Sequence, residues 1–221
     1  MIIDYACYNY ELNEHETQEE ITKALKYGAT SISVLPYSLN TIKLMENRIP
    51  AKIPVSCVLD FPYGLADWKS RVFMVGQIIK HSAKVKYVDL MIPTKVITNR
   101  KYDKFREEIK ALTELCGPEN VGIRYILEYR IFKHETLDKV CKILQEFNLD
   151  TVFTSSGATL DNVEDNLIAC NFLTMKSNIR SICTGNVYND KHVKLIKNTP
   201  NISGVRFFYT SGLELFNKIS V

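Results

Sequence analysis

Asp89 lies inside an apolar run, Tyr87-Val-Asp-Leu-Met91. An unpaired carboxylate in such a setting is costly, so Asp89 is either paired, with Arg124 or a hydroxyl, or handles protons. Burial would raise its pKa in the second case. Glu128 stands two and four residues beyond Ile126 and Arg124 in another apolar run, which favours a Glu128–Arg124 pair on one strand face. Asp60, before Phe-Pro, is equally a loop cap or a ligand-facing carboxylate. Ser155, Ser156 and Gly157 end a β-branched and aromatic run with a small-residue turn, whose amides and hydroxyls suit an anion. Thr184-Gly-Asn186 and Thr210-Ser211 make a second such pair, with ordinary helix capping as the other reading. The four histidines fall on helices, their edges or loops and suggest neither acid–base nor metal chemistry.

These residues need elements to place them. Short apolar runs alternate with amphipathic ones along the whole chain. Strands are expected at Ile2–Tyr8, Ser31–Leu35, Pro54–Leu59, Lys86–Ile92, Val121–Tyr129, Thr151–Thr154, Ile179–Thr184 and Val205–Tyr209. A helical pattern follows each. The first has a Thr17-Gln-Glu-Glu20 capping box and a stop at Gly28. The helix after the sixth strand is expected to open near Leu160 or Asp161. Eight units of about 27 residues predict an α/β fold, a single (β/α)8 TIM barrel, with residues 1–221 as one domain. A doubly wound sheet would normally carry a Gly-rich first turn, and Tyr8-Asn-Tyr10 is not one. In a barrel these side chains collect at the C-terminal ends of the strands.

Composition narrows the classes. The 221 residues are 46% hydrophobic and 24% charged, which is ordinary for a globular protein. A net charge of +3, spread along the chain, gives nucleic-acid binding no support. Six cysteines show no metal spacing and sit in strand-like or helical runs, as buried reduced thiols do. No apolar run approaches the roughly 18 residues of a membrane span, and the first residues form no signal peptide. A cytoplasmic protein is expected.

The assembled motifs resemble the deoxyribose-phosphate aldolase family over nearly the whole chain. They are Pro54-Val-Ser-Cys-Val-Leu-Asp-Phe-Pro-Tyr-Gly64, Tyr87-Val-Asp-Leu-Met91, Ile126-Leu-Glu128, Thr154-Ser-Ser-Gly157, Gly185-Asn-Val187 and Val205-Arg-Phe207. The resemblance implies a cytosolic barrel that splits or forms deoxyribose 5-phosphate, with no metal and no cofactor. It also implies an imine-forming lysine on strand six, a second lysine on strand seven, and a proton-relaying aspartate on strand four. Asp89 matches the aspartate. Phe153 and Ile182 occupy the positions of the two lysines, and Ala158 stands where members often carry a basic residue.

A phenyl ring cannot condense with a carbonyl. Without a catalytic need, apolar side chains at both positions favour stability, at about 1.5–3 kcal/mol each. The resemblance therefore predicts an aldolase-like barrel without imine catalysis. Such a barrel would retain a sugar-phosphate or other small-molecule site, with the phosphate at the loops after strands seven and eight. The alternative is an active aldolase using a displaced lysine, Lys95 or Lys133, which lie nearest the mouth in sequence. Acid–base catalysis by Asp89 and Glu128 is a third route. A homodimer is common among such barrels, and no sequence feature marks an interface.

Overall fold

The computed structural model describes residues 1–81, 84–158 and 162–219. Eight parallel strands close into a barrel in chain order, with the last beside the first. They are β1 Ile2–Cys7, β2 Ser31–Val34, β3 Val55–Leu59, β4 Val85–Met91, β5 Gly122–Ile126, β6 Thr151–Phe153, β7 Arg180–Thr184 and β8 Gly204–Phe207. The helices are α1 Glu14–Lys26, α2 Leu39–Leu44, α3 Trp68–His81, α4 Thr94–Thr98, α5 Tyr102–Cys116, α6 His134–Glu146, α7 Val163–Ser177, α8 Asp190–Asn198 and α9 Thr210–Lys218. This is the (β/α)8 TIM barrel the sequence predicts. No helix among the described residues is long and apolar enough to cross a membrane.

Both faces of the strands are covered, so they read as continuous apolar runs. Outward-facing residues such as Val88, Tyr125, Val152 and Val205 pack against the helices in the larger core. Inward-facing Ala6, Val58, Met91, Ile126, Phe153 and Ile182 form a smaller cluster inside the barrel. Register sets that cluster: Ile126 pairs with Phe153, and Phe153 with Ile182, so the three side chains share one level.

The local differences from the sequence reading have physical causes. Helix α1 opens a turn earlier than expected, with Asn13 as N-cap and a capping box to Glu16. Thr17 lies within the helix and its hydroxyl donates to the Asn13 carbonyl. Asparagine caps at least as well as threonine, and Glu20 is held by Lys23, Tyr5 and Thr210 instead. Gly28 does end the turn, at φ +88°. Helix α4 fills what reads as a loop between β4 and α5. Strand β5 stops at Ile126, so Glu128 lies beyond it with a left-handed backbone, φ +49°. The expected opening at Leu160 or Asp161 lies outside the described residues, and α7 is capped by Asn162.

All six cysteines are free and buried. Burial pushes Cys7 and Cys141 up to about 12 and Cys116 to about 11. Only a thiolate attacks an aromatic disulfide quickly. The native protein should therefore show no fast-reacting thiol with dithionitrobenzoate, and six once denatured; a rapid native phase would contradict this burial.

Candidate functional site

The barrel interior carries a charged layer beneath the apolar one. Arg124 grips Asp89 with two hydrogen bonds, Nε to Oδ1 at 2.7 Å and Nη2 to Oδ2 at 3.0 Å. Arg206 donates through Nη2 to Asp89 Oδ2 at 2.6 Å and to Ser33 Oγ at 2.8 Å. Its Nε reaches Asp4 Oδ2 at 2.6 Å. Ser56 Oγ adds a bond to Asp89 at 3.1 Å. Two carboxylates thus face two guanidiniums, all buried. Register explains the partners, since Asp4 lies beside Arg206 and Asp89 beside Arg124. The geometry places Asp89 in the paired arrangement, with Arg206 and Asp4 as members that sequence reasoning missed.

Burial alone would raise the Asp4 pKa, yet the Arg206 and Arg124 charges outweigh it and hold the group below the ordinary carboxylate range. Burial likewise disfavours the Arg206 charge, but the surrounding Tyr8, Asp4 and Asp89 keep it protonated. The Tyr8 phenol is pushed well up, first by burial.

Two expectations for acidic residues are corrected or decided here. Glu128 does not pair with Arg124, because the strand ends before it and Arg124 is bound to Asp89; Glu128 Oε1 instead accepts from the Ser156 amide. Asp60 is a loop cap, accepting from Leu65 N at 3.1 Å and Ala66 N at 3.0 Å, and from Arg71 at 3.3 Å. Arg71, wholly buried, also meets Glu108 at 3.1 Å and donates to the Met91 carbonyl.

Phe153 is fully buried above the charged layer. The Arg206 guanidinium carbon lies 3.6 Å from its ring centroid and that of Arg124 4.8 Å away, as cation–π contacts. Ile182 flanks it. Higher up, Tyr8 meets Phe61 and Phe208 edge-on at 5.1 and 5.8 Å between ring centroids. Gly157 takes φ +75° directly under Phe208, where a Cβ would overlap that ring.

Above these rings the strand ends open into a cavity of about 470 Å³, lined by Tyr8, Tyr10, Glu11, Ser156, Gly157, Asn186 and neighbours. A smaller one of about 270 Å³ adjoins it, sharing Tyr8 and Tyr209 and adding Glu20, Thr210 and Ser211. Lys95, on α4, and Lys133, the cap of α6, are exposed and line neither cavity. Of the residues expected to hold an anion, Ser156, Gly157, Asn186, Thr210 and Ser211 do line these cavities. Ser155 and Thr184 are buried below them, Ser155 Oγ on Asn166 and Thr184 Oγ1 on the Ser155 carbonyl.

The chain is thus a closed (β/α)8 barrel with an aromatic-walled cleft at the carboxyl ends of its strands, the face on which such barrels carry their sites. No family model matches the chain. Among curated proteins it is 25% identical over 161 residues to the deoxyribose-phosphate aldolase of Thermococcus gammatolerans, covering 69% of this chain and 71% of that one. Among solved structures, QR15, an aldolase, superposes with a TM-score of 0.82 at 21% identity, over 98% of this chain and 93% of that one. The deoxyribose phosphate aldolase of Aeropyrum pernix, described as tetrameric, gives 0.81 at 14% identity, over 98% and 88%. The chain resembles the deoxyribose-phosphate aldolases and has the aldolase-like barrel.

Removing Arg206 leaves Asp4 and half of the Asp89 pairing uncompensated. Arg206→Met is therefore expected to cost about 3–5 kcal/mol in urea unfolding. Arg106→Ala, at the half-exposed Arg106–Glu146 pair, should cost no more than about 1 kcal/mol. Because the folded Asp4 pKa is depressed, its contribution is complete above the ordinary carboxylate range and lost as pH falls through the folded value. The urea midpoint should fall from about pH 5 to about pH 2, and less steeply in Asp4→Asn.

Proposed function

We propose that this chain is a deoxyribose-phosphate-aldolase-like barrel that works without imine chemistry and keeps a small-molecule site at its mouth. One observation carries the reading. The position that alignment through Thr154-Ser-Ser-Gly157 assigns to the imine lysine holds the Phe153 ring, fully buried and faced by two guanidiniums. An imine needs a neutral amine within bonding distance of the substrate carbonyl, and no aromatic ring provides one. Support also comes from the cavity itself, whose lining among the described residues contains no lysine. Asp89, bound to two arginines and a serine, serves in this reading to hold the barrel rather than to relay protons.

Loss of a covalent nucleophile lowers turnover by about 10⁶ in other enzymes. Incubation with 2-deoxyribose 5-phosphate and borohydride should leave the intact mass unchanged, with no cleavage of the phosphosugar above background. A reduced adduct on the protein would sink the reading. If turnover appeared, its disappearance in Lys95→Ala or Lys133→Ala would identify a displaced amine.

A further inference from the structure

Several of the donors that would hold an anion at the mouth are bonded within the protein. Gly185 N donates to the Arg206 carbonyl at 3.3 Å, and Thr210 Oγ1 to Glu20 Oε2 at 3.1 Å. The Ser156 amide donates to Glu128, while Ser155 and Thr184 hydroxyls point to Asn166 and the Ser155 carbonyl. Two of these acceptors, Glu20 and Glu128, are carboxylates bonded to the residues that would have to receive a phosphate. Like charges at such range repel in a cleft of reduced dielectric. Among the described residues the linings of the two cavities add Glu11 and include no lysine or arginine.

The rest of the cavity suits another kind of ligand. Tyr8, Tyr10, Phe61, Phe208 and Tyr209 give it aromatic walls. Such faces stack on a flat base or on the C–H face of a sugar ring. Asn9 and Asn186 add amides, and Asn186 Oδ1 is buried with no hydrogen-bond partner among the described residues. A buried acceptor of this kind calls for a donor. A volume of about 470 Å³ is within the range that encloses a small ligand.

We infer that the mouth takes an uncharged, hydroxylated ring compound, a free sugar or a nucleoside, and discriminates against its phosphate ester. The ring stacks between the aromatic walls while the Asn186 side chain turns its unpartnered Oδ1 towards a ligand hydroxyl or N–H. The inference rests on the reading of the mouth as a small-molecule site.

The test is calorimetric titration of the full chain, without borohydride, using 2-deoxyribose, 2-deoxyribose 5-phosphate, adenosine and adenosine 5′-monophosphate. At least one unphosphorylated probe should saturate, about tenfold more tightly than its phosphate ester. The pair that does so tells sugar from nucleoside. Asn186→Ala should weaken that binding about tenfold, as should Tyr209→Ala, which removes a ring 57% exposed and outside the core. The inference is overturned if a phosphate ester binds as tightly as its parent, if none of the four probes saturates, or if both variants bind unchanged. A borohydride adduct sinks the imine-free reading alone, since the titration reads affinity without covalent capture.

Discussion

Arg206 lies wholly buried in the barrel, binding carboxylates from β1 and β4 while its guanidinium plane covers the Phe153 ring of β6. One side chain on β8 thereby joins elements on every side of the barrel. Two carboxylates and two guanidiniums cancel, so the interior holds charge without net charge. Such a set is weak evidence for stability as a whole, yet taking away one member exposes the others to their full desolvation cost. It also specifies register. Sliding β4 against β5 by one residue would turn Asp89 or Arg124 out of the barrel and leave its partner unpaired.

The same layer shapes the level above it. A flat aromatic ring fits over two guanidiniums because its face is the negative end of its quadrupole. A lysine there would meet the same two positive groups, and they would favour its neutral form. The surroundings of Phe153 would thus suit an amine nucleophile. In the proposed reading the chemistry fails for want of a nitrogen atom, while its electrostatic setting remains.

The barrel was legible in the sequence because hydrophobic periodicity survives single substitutions, and eight alternations of one unit leave few topologies open. For Asp89 the sequence leaves pairing, with Arg124 or a hydroxyl, beside proton handling, because a carboxylate in an apolar run is costly unless it is paired or has a job. The spacing favours Glu128 as the partner of Arg124. The role of Arg206 is not legible in its motif, since its partners Asp4 and Asp89 lie 202 and 117 residues away in the chain. Nothing local to Val205-Arg-Phe207 tells where a guanidinium will find carboxylates until the barrel closes. Glu128 was misplaced for the opposite reason. Its spacing from Arg124 assumed that β5 continued, whereas the backbone turns left-handed two residues past the strand. The capping box of α1 was displaced by one turn because Asn13 and Thr17 are both good caps, and only tertiary demand on Glu20 separates them.

Phe208 resting on Gly157 fastens the loop after β8 to the loop after β6 across the rim. Under the proposed reading, this contact sets part of the frame a guest molecule meets, so that shape takes a share in deciding what enters.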